Sequence, residues 1–588
     1  MLKNLVRALL RGTRAREPAS ALAVAAANRL QLCLAQAMAR AAAGEHAAAV
    51  EHYCESLDLQ PQDPRIWCNF GTELDAIGQS EKAELAFRRA LELDPALAQA
   101  WYNLGRLLQQ HARAAEAEDC YRVAAARVDA GADRPLWLLI YNNWGLLLYD
   151  QGRPLEAVAS YRAALAGYAE ASDLGSNLLF TLNAVPGLDP REVRDEHTAW
   201  GRMHARTRYT HARPATHARP AAGQVIRLGY VSGDFCAHAL APFIEPVLRR
   251  HDRSQFRVFC YNNGRIRDAV TQRMQAGADV WRDIHIWDDK AVARAIRADR
   301  IDILIDVSGH TSGNRLLLFA RKPAPVQVSY LGYLNTTGMR AIDYRISDAC
   351  ADPAGPSDQG HTERLLRLPH SLWCYEPPAD APAVCAPPAL ERGYVTFASF
   401  NHIAKLNQRV LDLWASLMRE VPGSRLLVMA VPDEAAAARI RGALSGIDPD
   451  RVSTLGRLAR AEYLRQFAGV DIALDPFPYN GGATTCETLW MGVPLVTLAG
   501  DYGFSRSGVT ILANTGMQRL IARSAHEYLG IARALAGDLE GLRALRLSLR
   551  ARMLASPLLD APGYVRALEA AYQQIWRQWC KQQGQHRA

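Results

Sequence analysis

The chain has no CxxC pair, and its eleven cysteines are scattered and odd in number. Both features argue against a disulfide framework or a structural zinc site, and a reducing, cytoplasmic setting is the expectation. It also lacks any apolar run near the roughly 20 residues that span a bilayer, so no membrane partner is expected. Charge of one sign is equally short. A net +8 over 588 residues is modest, and the arginines often sit four residues from an acid, as on solvated helix faces, which does not point to nucleic acid. What remains is ordinary globular material, 49% hydrophobic and 22% charged, long enough for about three or four domains. The first thirty residues are basic and Ala-rich, but Arg interrupts their apolar positions. Residues 1–30 are therefore expected as a leading amphipathic helix rather than a targeting signal.

The first third repeats itself. Trp67 and Trp101 lie 34 residues apart (101 − 67), and the same step relates Phe70-Gly71 to Leu104-Gly105, Tyr53 to Phe87 to Tyr121, Ala49 to Ala83 to Ala117, and Pro61 to Pro95. A further unit carries Trp144-Gly145, Ala157 and Tyr161, its Gly displaced by 40 (145 − 105). The extra six residues are expected to lengthen the loop around ADRPLW. Five classes of position in one register are the period of the tetratricopeptide helix pair, with bulky residues packing between helices and small ones where helices approach. The array is assigned to residues 31–172, and its aromatics are core. Stacked helix pairs offer a groove to an extended partner, so acceptor proteins or peptides are the expected ligand.

Over residues 173–224 the periodicity fades into a Pro-, Arg- and His-rich segment that reads as a linker. His204, His211 and His217 there have no helical spacing suited to a metal. From residue 225 short apolar strands alternate with helices: Ile226 to Val231, Phe256 to Tyr261, Ile303 to Val307 and Gln327 to Tyr330. After a Pro-rich break a second series follows: Val395 to Ser399, Leu426 to Ala430, Val452 to Leu455, Ile472 to Leu474 and Leu495 to Leu498. Two doubly wound domains are expected, 225–385 and 386–588, the second closed by a C-terminal helix.

Chemistry is sought in the loops after the strands, where ligands of such sheets sit. The stretch DIALDPFPYNGGATTCETLWMGVPLVTL (Asp471 to Leu498) reads as strand, glycine turn, helix, strand. Unpaired N–H groups at the helix start, following Asn480, Gly481 and Gly482 and flanked by Thr484 and Thr485, favour an anion such as a diphosphate. Glu487, one turn on, is within reach of an attached ribose. The alternative is an ordinary α/β crossover whose glycines only make the turn. Lys405, in the loop Ser399-Phe400-Asn401-His402-Ile403-Ala404-Lys405, would neutralise a leaving diphosphate without a metal. Comparable polar loops carry His238 after the first strand, His310 after the third, and Gly332 and Asn335 after the fourth. Asp448-Pro449-Asp450 has the look of a metal-binding acid pair, but its position before a strand suits a turn.

Taken together, the helix-pair array and the motifs GYVSGDFCAH, LGYLNTTG, SFNHIAKLN and DPFPYNGGATTCETLW resemble the protein O-GlcNAc transferase family, including its bacterial and SPINDLY-like members (glycosyltransferase family 41). The resemblance implies a tetratricopeptide superhelix followed by a GT-B fold of two Rossmann-like α/β domains. It implies inverting, metal-independent transfer from a nucleotide sugar to protein Ser or Thr. By that resemblance His238 is the active-site histidine, Lys405 lies on the diphosphate, Thr484 contacts phosphate, and Glu487 holds the ribose. Asn401, His402, Gly481, Gly482, Thr485 and Tyr463 belong to the nucleotide-sugar site, with Tyr463 able to stack on a base. His310, Gly332 and Asn335 fall to acceptor or sugar loops. The chain departs from the animal enzymes at His402 (Gln there), at Gly482-Ala483-Thr484 (His-Thr-Thr) and at Tyr463 (His). It also lacks their insert between the two catalytic halves. The donor is UDP-GlcNAc or, as in the SPINDLY-like branch, GDP-fucose. His238 is equally readable as proton acceptor or binder. A peptide-binding scaffold with a decayed catalytic half is the alternative from another class. A transferase for small molecules would leave the repeats unexplained.

Overall fold

A computed structural model describes residues 19–129, 131, 133–205 and 225–585. Most of the expected leading helix, and the linker stretch with His211 and His217, lie outside the described residues. The chain divides into two compact units at Trp144/Gly145.

The first unit is a run of antiparallel helices: Ala19–Ala42, His46–Leu59, Pro64–Ala76, Ser80–Leu93, Ala98–Gln110, Ala114–Arg127 and the start of Arg134–Asp150. The 34-residue period has two physical causes here. A Cβ on Gly71 would stand 2.7 Å from the Phe87 ring, and one on Gly105 would stand 3.0 Å from the Tyr121 ring. Each Gly thus lets an aromatic of the next helix close on its backbone. The repeated Trp and Pro are partners, since Trp67 Nε1 donates to Pro61 O (2.8 Å) and Trp101 Nε1 to Pro95 O (3.0 Å). The 40-residue step is corrected in part. Helix Arg134–Asp150 has 17 residues against 13 in Ala98–Gln110, so four of the six extra residues extend a helix and two lengthen the connection. Trp137 and Tyr141, their rings tilted at 41° with centroids 4.6 Å apart, lie in that extended helix.

The second unit begins with the same device, Gly145 lying 2.4 Å from the Tyr161 ring when given a Cβ. The expected linker is also corrected over residues 173–205, which form helices Ser172–Leu182 and Pro190–His204. The second opens on an Asp189 cap with Pro190 in its first turn, a start signal present in the sequence. Their buried faces carry Leu174, Leu178, Leu179, Val193 and Trp200.

Two parallel sheets follow. The first has the order β3-β2-β1-β4-β5-β6-β7, with β1 Ile226–Ser232, β2 Phe256–Asn262, β3 Val280–Asp283, β4 Ile303–Asp306, β5 Val326–Ser329, β6 Tyr344–Asp348 and β7 Arg364–Leu368. The second has the order β10-β9-β8-β11-β12-β13, with β8 Thr396–Ser399, β9 Arg425–Val428, β10 Val452–Thr454, β11 Ile472–Leu474, β12 Leu495–Leu498 and β13 Ile521–Ala522. Strands β3, β6, β7 and β13 carried no clear apolar run. β6 reads Tyr-Arg-Ile-Ser-Asp yet is buried throughout, because the Arg345 guanidinium is spent on the carbonyls of Tyr333 (2.6 Å) and Asn335 (2.8 Å).

The closing helix, Ala561–Gln585, is corrected as to its domain, since it packs on the first sheet. Tyr564 meets Tyr330 hydroxyl to hydroxyl at 2.8 Å, and Glu569 Oε1 lies 3.0 Å from His251 Nδ1. Tyr564, Leu568 and Tyr572 of this helix share one hydrophobic cluster with residues of β1, β4 and β5. Among the described residues no helix is long and apolar enough to cross a membrane.

Candidate functional site

Each sheet reverses its strand order at one point, between β1 and β4 and between β8 and β11. Loops leaving the carboxyl ends of such a pair diverge and leave a crevice. The polar loops singled out in the sequence fall at these two places: Ser232 to His238 beside Ser308 to Gly313, and Asn401 to Lys405 beside Asp475 to Thr485. Ser232 Oγ and Ser308 Oγ lie 3.4 Å apart across the first switch point.

The second switch point is the more fully built. Helix Ala483–Trp490 starts behind Gly482. A Cβ on Gly481 would lie 2.6 Å from Thr484 Oγ1, 2.7 Å from Thr485 Oγ1 and 2.9 Å from Asn401 Oδ1, so only Gly fits where three polar atoms converge. Thr484 Oγ1 donates to Asn401 Oδ1 (3.1 Å), while the buried Thr485 Oγ1 has no partner. Lys405 Nζ donates to Asn480 O (2.8 Å) and stands 3.9 Å over the Tyr479 ring. Burial pushes its pKa down to about 8, and Asp475 opposes that. Lys405, Asn401, Gly481, Thr484 and Thr485 are thus one cluster, bounded by Asn480 of the expected turn and by Asp475 and Tyr479, which were not among the expected site residues. Asp475 and Tyr479 lie inside the quoted DPFPYNGG motif, where the glycines give the stronger local signal.

One turn along the helix, Glu487 accepts from Tyr463 Oη (2.9 Å) and pairs with Arg460 (2.5 Å). The Tyr463 ring is set edge-on against Phe400 (6.0 Å) and Phe467 (5.3 Å). Trp373 lines this side too, 3.2 Å from a Cβ placed on Gly482. Its Nε1 and the Tyr375 hydroxyl are buried without hydrogen bonds. No sequence signal marks Trp373 or Tyr375, which stand just before the Pro-rich break.

His402 is placed differently from the expectation of a nucleotide contact. Its ring stacks on Tyr149 (5.3 Å, 21°), Nε2 lies 3.2 Å from Asp150 Oδ1, and Nδ1 accepts from Ala404 N–H. Both ring nitrogens are engaged by protein. The neighbouring turn is held on the same lobe by Gln151 Nε2 donating to Asp433 Oδ2 (2.8 Å).

In the first lobe, His238 is exposed on the loop after β1. Its Nδ1 accepts from Leu240 N–H (3.3 Å). It lies beside Asp234, whose carboxyl is pushed up by burial and drawn back by this imidazole. Among the described residues no hydrogen bond joins His238 to the Lys405 cluster. His310 is corrected: it is 0% exposed, with Nε2 donating to Thr337 O (3.0 Å) and Nδ1 taking the Ser176 hydroxyl (3.0 Å). Burial holds its pKa well below the ordinary histidine range, so it is a neutral interior group. Gly332 serves packing, since a Cβ there would stand 2.0 Å from Val307 O. Asn335 is buried and donates to Asn183 Oδ1 (3.0 Å). Asp448 accepts from Asp450 N–H (3.0 Å), as a turn cap does.

Comparison with known proteins places this architecture. The sequence model described as glycosyl transferase family 41 matches residues 198–376 and 388–568, and two tetratricopeptide repeat models match residues 64–97 and 86–119. A rice protein (Oryza sativa subsp. japonica) named probable UDP-N-acetylglucosamine–peptide N-acetylglucosaminyltransferase SPINDLY is 39% identical over 436 residues, 72% of this chain and 46% of that one. The UDP-N-acetylglucosamine–peptide N-acetylglucosaminyltransferase of Caenorhabditis elegans is 25% identical over 477 residues, 61% of this chain and 41% of that one. The chain spans about half the length of the curated relatives it matches. A solved structure of a Thermobaculum terrenum O-GlcNAc transferase mutant superposes with a TM-score of 0.75 at 32% identity, covering 95% of this chain and 99% of that one.

Proposed function

The chain belongs to glycosyl transferase family 41, and on that premise we propose that it transfers GlcNAc from UDP-GlcNAc to Ser or Thr hydroxyls of proteins, by an inverting, metal-independent displacement. The observation that carries this reading is the Lys405 ammonium beside the Gly481 turn and the start of helix Ala483–Trp490. A buried cation and a helix start, whose first N–H groups have no intrahelical partner, meet at one turn, an arrangement suited to a diphosphate. In the reaction the acceptor oxygen bonds to the anomeric carbon as the bond from that carbon to the diphosphate breaks. The charge left on the diphosphate falls to Lys405 and the helix start, and the hydroxyl proton passes to a base, for which His238 is the exposed imidazole at the other switch point. Glu487, already aligned by Arg460 and Tyr463, takes the ribose hydroxyls. Acceptor proteins lie in the helix-pair array, and the eleven free thiols support a reducing, cytoplasmic setting.

A second reading keeps this chemistry with GDP-fucose as donor. It is favoured by the Tyr479-Asn480-Gly481-Gly482 loop and by Tyr463, where the chain departs from the animal enzymes. The test is calorimetric titration with UDP, GDP, UDP-GlcNAc and GDP-fucose in EDTA, followed by transfer to a Ser/Thr peptide library. Binding of one nucleotide and its sugar selects the donor. Binding of neither refutes the enzyme reading in favour of a scaffold.

A further inference from the structure

Beneath the anion loop lies a carboxylate that the reading above leaves idle. Asp475 follows directly on β11 and is 0% exposed. Its Oδ1 accepts from Gly481 N–H (2.8 Å) and its Oδ2 from the Thr497 hydroxyl (2.7 Å), and the Asn401 side chain adds a further hydrogen bond. Its backbone is fixed as well, N–H to Val496 O (3.0 Å) and carbonyl to the Tyr528 hydroxyl (3.1 Å). Gly508 leaves it room, since a Cβ there would stand 2.7 Å from Oδ2. An amide at 475 would accept from Gly481 equally well, so hydrogen bonding alone does not call for an acid. A buried charge is costly unless it faces an opposite one.

The opposite charge at the same turn is Lys405: Asp475 Oδ1 takes the Gly481 N–H while Lys405 Nζ donates to the adjacent Asn480 O and stands over the Tyr479 ring, with no direct ion pair between the two groups among the described residues. The other titratable groups at this turn are Tyr479, under the ammonium, and His402, which caps the Ile403–Lys405 turn and faces Tyr149 and Asp150. Of these, the Asp150 carboxylate is already engaged with the His402 imidazole.

We propose that Asp475 is a positioning residue for the donor: its charge keeps Lys405 an ammonium before the donor binds, while its Oδ1 aims the Gly481 turn at the same diphosphate. The inference rests on the donor site proposed above. Burial drives Lys405 down to about 8 and Asp475 up to about 7, and each charge opposes the other's shift. The diphosphate needs the lysine protonated. Its affinity therefore falls about tenfold per pH unit once pH passes the pKa of Lys405 in the free protein. Without the Asp475 charge that break moves to lower pH.

The experiment measures Kd for UDP and GDP by calorimetry from pH 6 to 9.5 on the full chain, Asp475→Asn, Thr497→Val and Lys405→Met. The nucleotide's own ionisation is common to all and cancels in ratios. The unaltered chain is expected to break near pH 8, and Asp475→Asn about one unit lower, as the loss of a neighbouring opposite charge dictates. Lys405→Met is expected to show no break. Thr497→Val, which withdraws one hydrogen bond from the ionised carboxylate, shifts the break the same way by less, and it carries the test if Asp475→Asn does not fold. Uniform weakening of both variants at every pH, with no shifted break, overturns the inference and leaves the donor site standing. An unaltered chain that binds neither nucleotide overturns the donor site, and the inference with it.

Discussion

Replacing Gly481 by Ala puts a methyl group where three polar atoms already meet. The ideal Cβ lies 2.6 Å from Thr484 Oγ1, 2.7 Å from Thr485 Oγ1 and 2.9 Å from Asn401 Oδ1, and 3.4 Å is the near edge of ordinary contact. Each neighbour must therefore retreat by roughly 0.5–0.8 Å. Thr485 is fully buried, so it has little room to turn, and moving Thr484 or Asn401 breaks the bond between them. Overpacking of this kind costs about 1–3 kcal/mol. The strain sits in the loop proposed to hold the diphosphate, so nucleotide affinity is expected to fall by about 5- to 150-fold, the same energy read at about 1.4 kcal/mol per decade. Calorimetric titration with the nucleotide that binds the unaltered chain measures this. Gly530→Ala is the control, since a Cβ there meets nothing within 4 Å, and it is expected to bind normally. If Gly481→Ala binds within twofold of the unaltered chain, the convergence of these atoms has no part in nucleotide binding and the argument is refuted.

Three further outcomes are expected. His197 is buried neutral, its Nδ1 donating to Val193 O and its Nε2 accepting the Tyr333 hydroxyl, and burial lowers its pKa from 6.5 to about 4. The unfolded chain then takes the proton first, so stability present above about pH 6.5 is lost as pH falls toward 4. That loss is about 2 kcal/mol between pH 7.5 and 5, and guanidinium unfolding that loses no more in the unaltered chain than in His197→Gln refutes it. His238→Ala should lower kcat by about 100-fold or more if His238 takes the acceptor proton, whereas a change confined to KM assigns it to binding. His402→Leu should keep nucleotide affinity within about threefold, its ring being given over to Tyr149 and Asp150; a tenfold loss in titration would place it on the nucleotide.

Much of the architecture was legible because it is written in local spacing. The 34-residue step reports a glycine facing an aromatic and a tryptophan reaching a proline carbonyl, contacts that must recur at a fixed distance along the chain. The buried strands β1, β2, β4, β5, β8, β9, β11 and β12 announced themselves as apolar runs, since parallel strands are covered on both faces. β6 did not, because its Arg345 is satisfied by carbonyls ten and twelve residues earlier. Helix Pro190–His204 was missed although its Asp-Pro start was present, because its apolar positions are few and its core side is shared with distant residues such as Tyr333.

The sequence by itself determined the helix-pair array, the two βα series and the glycine loop before helix Ala483–Trp490, all of which follow from periodicity and backbone preference within a few dozen residues. Only the tertiary structure decided what the polar side chains face. It set Lys405 against a carbonyl 75 residues away and placed Asp475 under the loop it holds. It also sealed His310 between Ser176 and Thr337, turned His402 toward Asp150, and laid the last helix on the first sheet. A histidine in a Gly-Ser loop has the same local signature whether it meets solvent or the interior. Burial, which sets its charge and its use, is a property of the chain segments packed around it.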